Sequence, residues 1–456
     1  MGVLMKVENG YVKKKEEELC KYFGYLDDNI EYPKYLEQII LELILEELGI
    51  EYSNKENEIE ELFNLIPKEI IDKWINTING LYDRNEKVDY QDIKNEYLAY
   101  YFPINTFKIH RLLRDLLQND LIKVDINIID IGCGPGAATI GFLEFYKKIA
   151  YILKDTKFNI SITLLDEDNE FIRIAERFIS KYLNTLPKNL LITMHESVNC
   201  KINKEFKLKY SYDYIIISNL LNKSEINTEF GILNFIEEII TSIDPKGSIL
   251  MIEPGQETQC KLLKTIRNYI LNKYSNINLY SPCNNIWGEK KLYKCKCFSN
   301  GKFKWNKPYI IKQLIKQGLL KKVNEVSFNY IILRKDGKTK YRIDKYDPNY
   351  IMLKDIKDYN GKYLNVKGIV RCVIEKPNYL WVSICDGTDI LNEDKHYHIS
   401  IKLGDNNIRK RYYTIMKSMN IGEKIVAKNV KCERMRKYKD SYLLNIEDKT
   451  DIKFNY

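Results

Sequence analysis

From residue 126 to about 280 the chain alternates between short apolar runs and longer amphipathic stretches. "INIIDIG", "ISITLLD", "YDYIIIS" and "GSILMIEPG" are dense in Ile, Leu and Tyr, as strands buried on both faces of a sheet require. Amphipathic helical patterns lie between several of them, which predicts a parallel α/β sheet. Residues 1–125 carry helical spacing instead. In "YPKYLEQIILELILEELGI", Leu36, Ile39, Ile40, Leu43 and Leu48 recur among acids, and Gly49 stands where a helix would stop. "NEIEELFNLIPKEIIDKWINTI" repeats the pattern around Pro67. In "YLAYYFPINTFKIHRLLRDLL", Pro103 reads as a break between an aromatic run and another helix.

Residues 355–456 change pattern again. "KYLNVKGIVRCVIE", "YLWVSICDG", "HYHISIKLG", "EKIVAKNVKCERM" and "SYLLNIED" are strand candidates, and "NNIRKRYYTIMKSMN" supplies a helix between the third and fourth. Five strands with a helix in that place match the element order of an OB-like barrel. The expected organisation is a helical region over 1–125, an α/β domain over 126–280, a cysteine-bearing connection over 281–354 and an OB-like β domain over 355–456.

Composition narrows the classes. With 456 residues and 45% hydrophobic content, the chain fits two or three domains with buried cores and excludes wholesale disorder. A net charge of +9 suggests an anionic partner, although a solvated lysine-rich surface explains it equally well. No apolar run approaches the roughly 20 residues that span a bilayer. The first residues lack a signal-peptide core and are too acidic for a mitochondrial transit peptide. A cytoplasmic protein with no membrane partner is expected, in which clustered cysteines point to metal or catalysis before disulfides.

Candidate chemistry begins at "IIDIGCGPGAATIG". Asp130 closes a strand, and Gly132, Gly134 and Gly136 form the turn into a helix, where a ligand can lie against the backbone. An acid directly before G-x-G-x-G resembles motif I of the S-adenosylmethionine-dependent methyltransferases, in a Rossmann-like domain. Asp166 ends the next strand, where a carboxylate can accept from both ribose hydroxyls. Ser218 and Asn219 end a later strand beside the expected crevice. The methyl acceptor is not legible. "NLLN" stands after "IIIS" where an amine-positioning D/N-P-P-Y/F tetrapeptide would be, and Pro282-Cys283 follows "IEPG" by a whole helical segment, too far for a cytosine-C5 nucleophile. No catalytic residue is assigned, and both an active DNA or RNA methyltransferase and a non-catalytic RNA-binding factor stay open as alternatives.

"GSILMIEPGQETQCKLLKTIRNYI" followed by "YSPC" resembles a family of ribosomal small-subunit-associated methyltransferase-like proteins, known as mitochondrial small-subunit assembly factors and their bacterial relatives. "YLAYYFPINTF", "EVSFNYIILRKDGK" and "YLWVSICDG" resemble further segments of that family, so the likeness spans roughly residues 95–390. It implies a cofactor site for S-adenosylmethionine, association with the small ribosomal subunit or its rRNA, and a 4Fe–4S cluster on four cysteines. Carried over, these are Cys283, Cys295, Cys297 and Cys385. A structural zinc is the alternative occupant of four thiolates. The family's His after the first Cys and its mid-loop Cys-Pro are replaced here by Asn284, Asn285 and "NIWGEKKLY", and Cys372 is a possible substitute for Cys385.

Other residues draw plainer expectations. Cys20, Cys133, Cys200, Cys260 and Cys432 read as buried fillers. His110 reads as a surface or packing residue, His195 as a core histidine with an approach to the cofactor pocket as the alternative, and His396 and His398 as solvent-facing. In the OB-like region Arg409, Lys410, Arg411, Tyr412, Tyr413, Lys431, Arg434, Arg436 and Lys437 could meet RNA phosphates, with Tyr379 and Trp381 stacking on bases. The competing reading puts Tyr412 and Trp381 in the barrel core.

Overall fold

In a computed structural model the apolar runs become strands where the alternation places them. The structure describes residues 5–14, 30–52, 58–83, 90–202, 206–221, 229–282, 286–287, 301–340, 347–388, 397–402, 407–417, 419, 422–436 and 441–455. The chain divides into two units, Met1–Pro254 with Lys302–Phe328, and Gly255–Gly301 with Asn329–Tyr456. The cut at Pro254 lies inside the stretch read from sequence as one α/β domain.

The first unit is built on five parallel strands: β1 (Asp125–Ile131), β2 (Phe158–Asp166), β3 (Leu190–Met194), β4 (Tyr212–Ser218) and β5 (Ile243–Pro254). Their order is β5-β4-β1-β2-β3. From β1 the chain winds outward through β2 and β3, then returns to the other side of β1 for β4 and β5. This Rossmann-like reversal between β1 and β4 opens a crevice at the carboxyl ends of the strands. Ile128, Ile129, Ile131, Ile215, Ile216 and Ile217 are all buried, as strands covered on both faces demand.

Five helices matter for the site: α1 (Lys34–Glu47), α2 (Lys108–Leu117), α3 (Ala137–Ile152), α4 (Asn169–Leu183) and α5 (Glu229–Ser242). Helix α1 buries Leu36, Ile39, Ile40, Leu43 and Ile44, and Gly49 just beyond it takes φ +67°. Its acids then meet the bases of α4: Glu42 and Glu46 lie 2.8 and 3.0 Å from Lys181, and Glu47 lies 2.7 Å from Arg173. The N-terminal region is not wholly helical. Met5–Glu8 and Tyr11–Lys14 form an antiparallel hairpin, and Ile30–Glu31 pairs with Trp305 and Asn306. Pro103 does not break the chain's helical course. It sits in the first turn of the helix Phe102–Thr106, where a missing N–H leaves nothing unpaired, and the preceding Tyr97–Tyr101 widens into a π turn.

The second unit carries α6 (Glu257–Lys273) and a barrel of β6 (Tyr363–Lys376), β7 (Tyr379–Cys385), β8 (Tyr397–Lys402), β9 (Lys424–Arg434) and β10 (Tyr442–Asn445). Successive pairs run β6-β7-β8-β10-β9 and close because β6 also pairs with β9; only β8 and β10 are parallel. Helix α7 (Asn407–Lys417) joins β8 to β9, and a further strand, β11 (Asp451–Asn455), edges β9. Val366, Leu380, Val382, Ile399, Ile401, Ala427, Val430 and Leu444 fill the interior.

Three histidine expectations are settled by packing. His110 is buried between Phe107 and Phe145, with its Nε2 2.8 Å from the Gly141 carbonyl oxygen. His195 is exposed and stacks near Tyr210, so the core reading is corrected. His398 is buried against Trp381, with ring centroids 5.4 Å apart, which corrects its solvent-facing assignment; His396 lies outside the described residues. Of the cysteines read as fillers, Cys133, Cys260 and Cys432 are buried, Cys200 is half-buried, and Cys20 lies outside the described residues.

Candidate functional site

The crevice at the β1–β4 reversal collects the sequence candidates. Asp130 is fully buried one residue before the end of β1, and its Oδ2 accepts from the Thr139 hydroxyl at 2.7 Å. Gly132, Gly134 and Gly136 all have positive φ, +69°, +52° and +88°. These are the conformations glycine adopts without steric cost. Gly132 is also closely packed: a Cβ there would lie 2.7 Å from Leu220 Cδ1. Gly134 differs, because a Cβ there would meet nothing within 4 Å. Gly136 then caps α3.

Asp166, at the end of β2, holds this turn. Its Oδ2 accepts from the Gly134 N–H at 2.8 Å, and its Oδ1 accepts from the Asp168 N–H at 3.0 Å. A carboxylate offers about four lone-pair positions, so acceptor capacity remains for a ligand's hydroxyls. Across the reversal, Ser218 ends β4 and Asn219 takes φ +56°. The Asn219 N–H donates to the Ile252 carbonyl at 2.8 Å, and its Nδ2 donates to Ser218 Oγ at 3.1 Å. All seven cofactor candidates therefore lie on the strand ends and turns of the first unit.

Two residues that sequence reasoning did not nominate belong here as well. Glu253, fully buried near the end of β5, accepts the Leu220 and Leu221 N–H groups on Oε1 at 3.0 and 2.9 Å. Thr139 is the partner of Asp130. An acid at a strand end, as in "LMIEPG", is the same signal that marked Asp130 and Asp166, and it would have found Glu253. Among the described residues, Asp130 Oδ1 and Glu253 Oε2 are buried with no hydrogen-bond partner.

Burial pushes both carboxyls up, Asp130 to about 7 and Glu253 to about 7. An acid harder to ionise folded than unfolded leaves stability intact below pH about 4 and lowers it as pH climbs toward about 7. Urea unfolding of the ligand-free chain should therefore show Asp130→Asn and Glu253→Gln losing less stability than wild type between pH 5 and 8. Comparing variant with wild type isolates these acids from His110, whose buried neutral ring acts in the opposite sense. Equal pH dependence in all three proteins would contradict the assignment.

The metal candidates fall differently. Cys283, Cys295 and Cys297 lie outside the described residues. Cys385 is half-buried at the end of β7 and accepts the Gly387 N–H at 3.4 Å. The next residue, Asp386, is fully buried and accepts from Trp287 Nε1 at 2.9 Å and from the Leu353 N–H at 2.8 Å. Ile286 N–H also donates to the Asp386 carbonyl at 3.3 Å. The pair Ile286 and Trp287, which stands between Cys283 and Cys295 in sequence, is thus docked on the turn that follows Cys385. Cys372 faces Ser383 across β6 and β7. Among the described residues no group of three or more His, Cys, Asp or Glu is arranged to hold a metal.

On the barrel, alternation turns Leu380, Val382 and Ile384 inward and Tyr379 and Trp381 outward. Trp381 is half-buried beside His398 and Lys376, not in the interior, while Tyr412 packs partly against the core. Lys410, Arg411, Arg434 and Arg436 are exposed, Arg409 lies 3.5 Å from Asp448, and Lys437 lies outside the described residues. Among the described residues no helix is long and apolar enough to cross a membrane.

No family model matches the chain, and no curated protein does. Solved structures do align with it. The plantazolicin methyltransferase BpumL in complex with SAH aligns at 15% identity over 59% of this chain and 98% of its own, with a TM-score of 0.30. The N-methyltransferase NodS from Bradyrhizobium japonicum WM9 aligns at 13% over 51% and 97%, with a TM-score of 0.29. An rRNA methylase from Streptococcus thermophilus aligns at 9% over 50% and 96%, with a TM-score of 0.26. TM-scores this low decide neither fold nor function, which rest on the strand order and the site.

Proposed function

We propose that the chain binds S-adenosylmethionine at the β1–β4 crevice and acts as a methyltransferase-like protein on or with small-subunit ribosomal RNA. The observation that carries the cofactor reading is the glycine turn itself. Its amide at Gly134 is fixed by Asp166, open space lies beside Gly134, and both features stand at the strand reversal. The residues fit the ligand. Asp166 has capacity for ribose hydroxyls, and the unpartnered Asp130 Oδ1 is a buried acceptor suited to a cationic, donor-bearing molecule. S-adenosylmethionine, when bound, supplies an electrophilic methyl group; this chain's residues orient it. Calorimetry on the full chain tests the binding, and transfer of labelled methyl groups to ribosomal RNA tests the reaction. Silence in calorimetry would end the cofactor reading.

The partner and the cluster are the finer parts of the proposal. The sequence resemblance supports both, and the docking of Ile286 and Trp287 on the turn after Cys385 supports the cluster. Protein purified without oxygen should carry iron and acid-labile sulfide, and Cys385→Ser should lose both. Stoichiometric zinc without iron would replace the cluster with the structural alternative. The barrel's strand order, helix placement and outward aromatics support an OB-like RNA-binding role. Replacing Arg434 and Arg436 with Gln should then weaken binding to small-subunit RNA and lower the salt slope by about 0.7–0.9 per lost phosphate contact. An unchanged slope would assign both to the solvated surface.

A further inference from the structure

Lys108 opens helix α2 yet is only 4% exposed. Among the described residues no hydrogen bond or ion pair reaches its ammonium, and the charges it senses are Glu253 and Lys321. A buried ammonium without a close anion is costly, and a lysine stem ordinarily carries its charge out to water.

The surroundings tie Lys108 to the glycine turn. Glu253 Oε1 clamps the Leu220 and Leu221 amides, and Leu220 leans on Gly132 closely enough to exclude a Cβ there. Glu253 Oε2 points to no protein donor among the described residues. The same packed spot therefore offers a buried cation and a buried acceptor. RNA phosphates on an outer surface cannot reach a side chain buried to this degree, whereas a small zwitterion carries both the anion and the cation that this pair lacks.

We propose that Lys108 binds the carboxylate of the cofactor's amino-acid end, with Glu253 Oε2 receiving its ammonium. The inference rests on the cofactor reading above and adds the residues that select the charged end. Burial lowers the Lys108 ammonium to about 8, so it keeps its charge at neutral pH.

The probes are S-adenosylhomocysteine and its decarboxylated analogue, which keeps the amine and lacks the carboxylate. Each is titrated calorimetrically into the full chain. Wild type should prefer S-adenosylhomocysteine by about ten- to a hundredfold, the usual worth of a charged hydrogen bond. Lys108→Met should erase that preference, chiefly by lowering affinity for S-adenosylhomocysteine. Should this variant bind neither probe, Lys108→Arg decides: a retained preference supports the assignment, and a lost one overturns it. A preference that persists in Lys108→Met overturns this inference alone and leaves the cofactor reading standing. Wild type that binds neither probe defeats both.

Discussion

Asp166→Ala should weaken S-adenosylmethionine binding by about a hundredfold or more. The carboxylate has two duties, and alanine removes both. It accepts the Gly134 and Asp168 amides at 2.8 and 3.0 Å, which sets the shape of the glycine turn. It is also the proposed acceptor for ribose hydroxyls. A buried donor left unpaired costs about 1–3 kcal/mol, and hydrogen bonds to a charged group contribute about 1.5–3 kcal/mol. Either loss approaches the 2.7 kcal/mol or so that corresponds to a hundredfold change. Asp166→Asn keeps the shape but turns one oxygen into a donor, so it should fall between alanine and wild type. Titration calorimetry reads all three. Alanine affinity within about threefold of wild type would remove Asp166 from the site.

Gly141→Ala should be the most destabilising single-methyl change in the first unit. Gly141 lies in α3, where alanine ordinarily gains about 1 kcal/mol over glycine. Here a Cβ would stand 1.8 Å from the Thr106 carbonyl oxygen and 2.9 Å from Ile109 Cγ2. The first obstacle is backbone, so no side chain can swing aside and the helix itself must move. Overpacking of this kind costs about 3 kcal/mol or more, which outweighs the propensity gain. At roughly 2–4 °C per kcal/mol, the melting temperature of the unit should fall by several degrees. Because α3 begins at Gly136, cofactor affinity should fall with it. Gly134→Ala is the contrast. Nothing lies within 4 Å of its Cβ, and only the φ of +52° costs it, about 1–2 kcal/mol. Equal melting temperatures for the two variants would show that the α3 contact is not closely packed.

The elements were largely readable in advance because each is written in local chemistry. β1, β2 and β4 announce themselves as short Ile-rich runs, since a strand covered on both faces has no polar side to display. The three glycines of the turn are readable for the same reason: a positive φ is a local demand that few other residues meet. Alternation also turned Trp381 outward, although sequence alone left open whether it filled the barrel. Pro103 misled because a proline breaks a helix only in its interior. Whether a given proline begins a new first turn depends on how the preceding turn is wound.

By itself the sequence determined the strand runs, the helix periodicity of α1 and α2, and the Asp130-to-Gly136 turn into α3. All of these follow from residue spacing within one segment. Only the tertiary structure decided what meets at the crevice. Lys108, Leu220 and Glu253 are separated by more than thirty residues at each step, and no local pattern records that a glutamate on β5 clamps the turn after β4. The same holds for His195 and His398, whose exposure reversed the expectation because burial is a property of neighbours, not of the residue. Long-range contacts are chosen by the order in which strands assemble, and that order is a global minimum of packing and loop closure that a segment read alone does not contain.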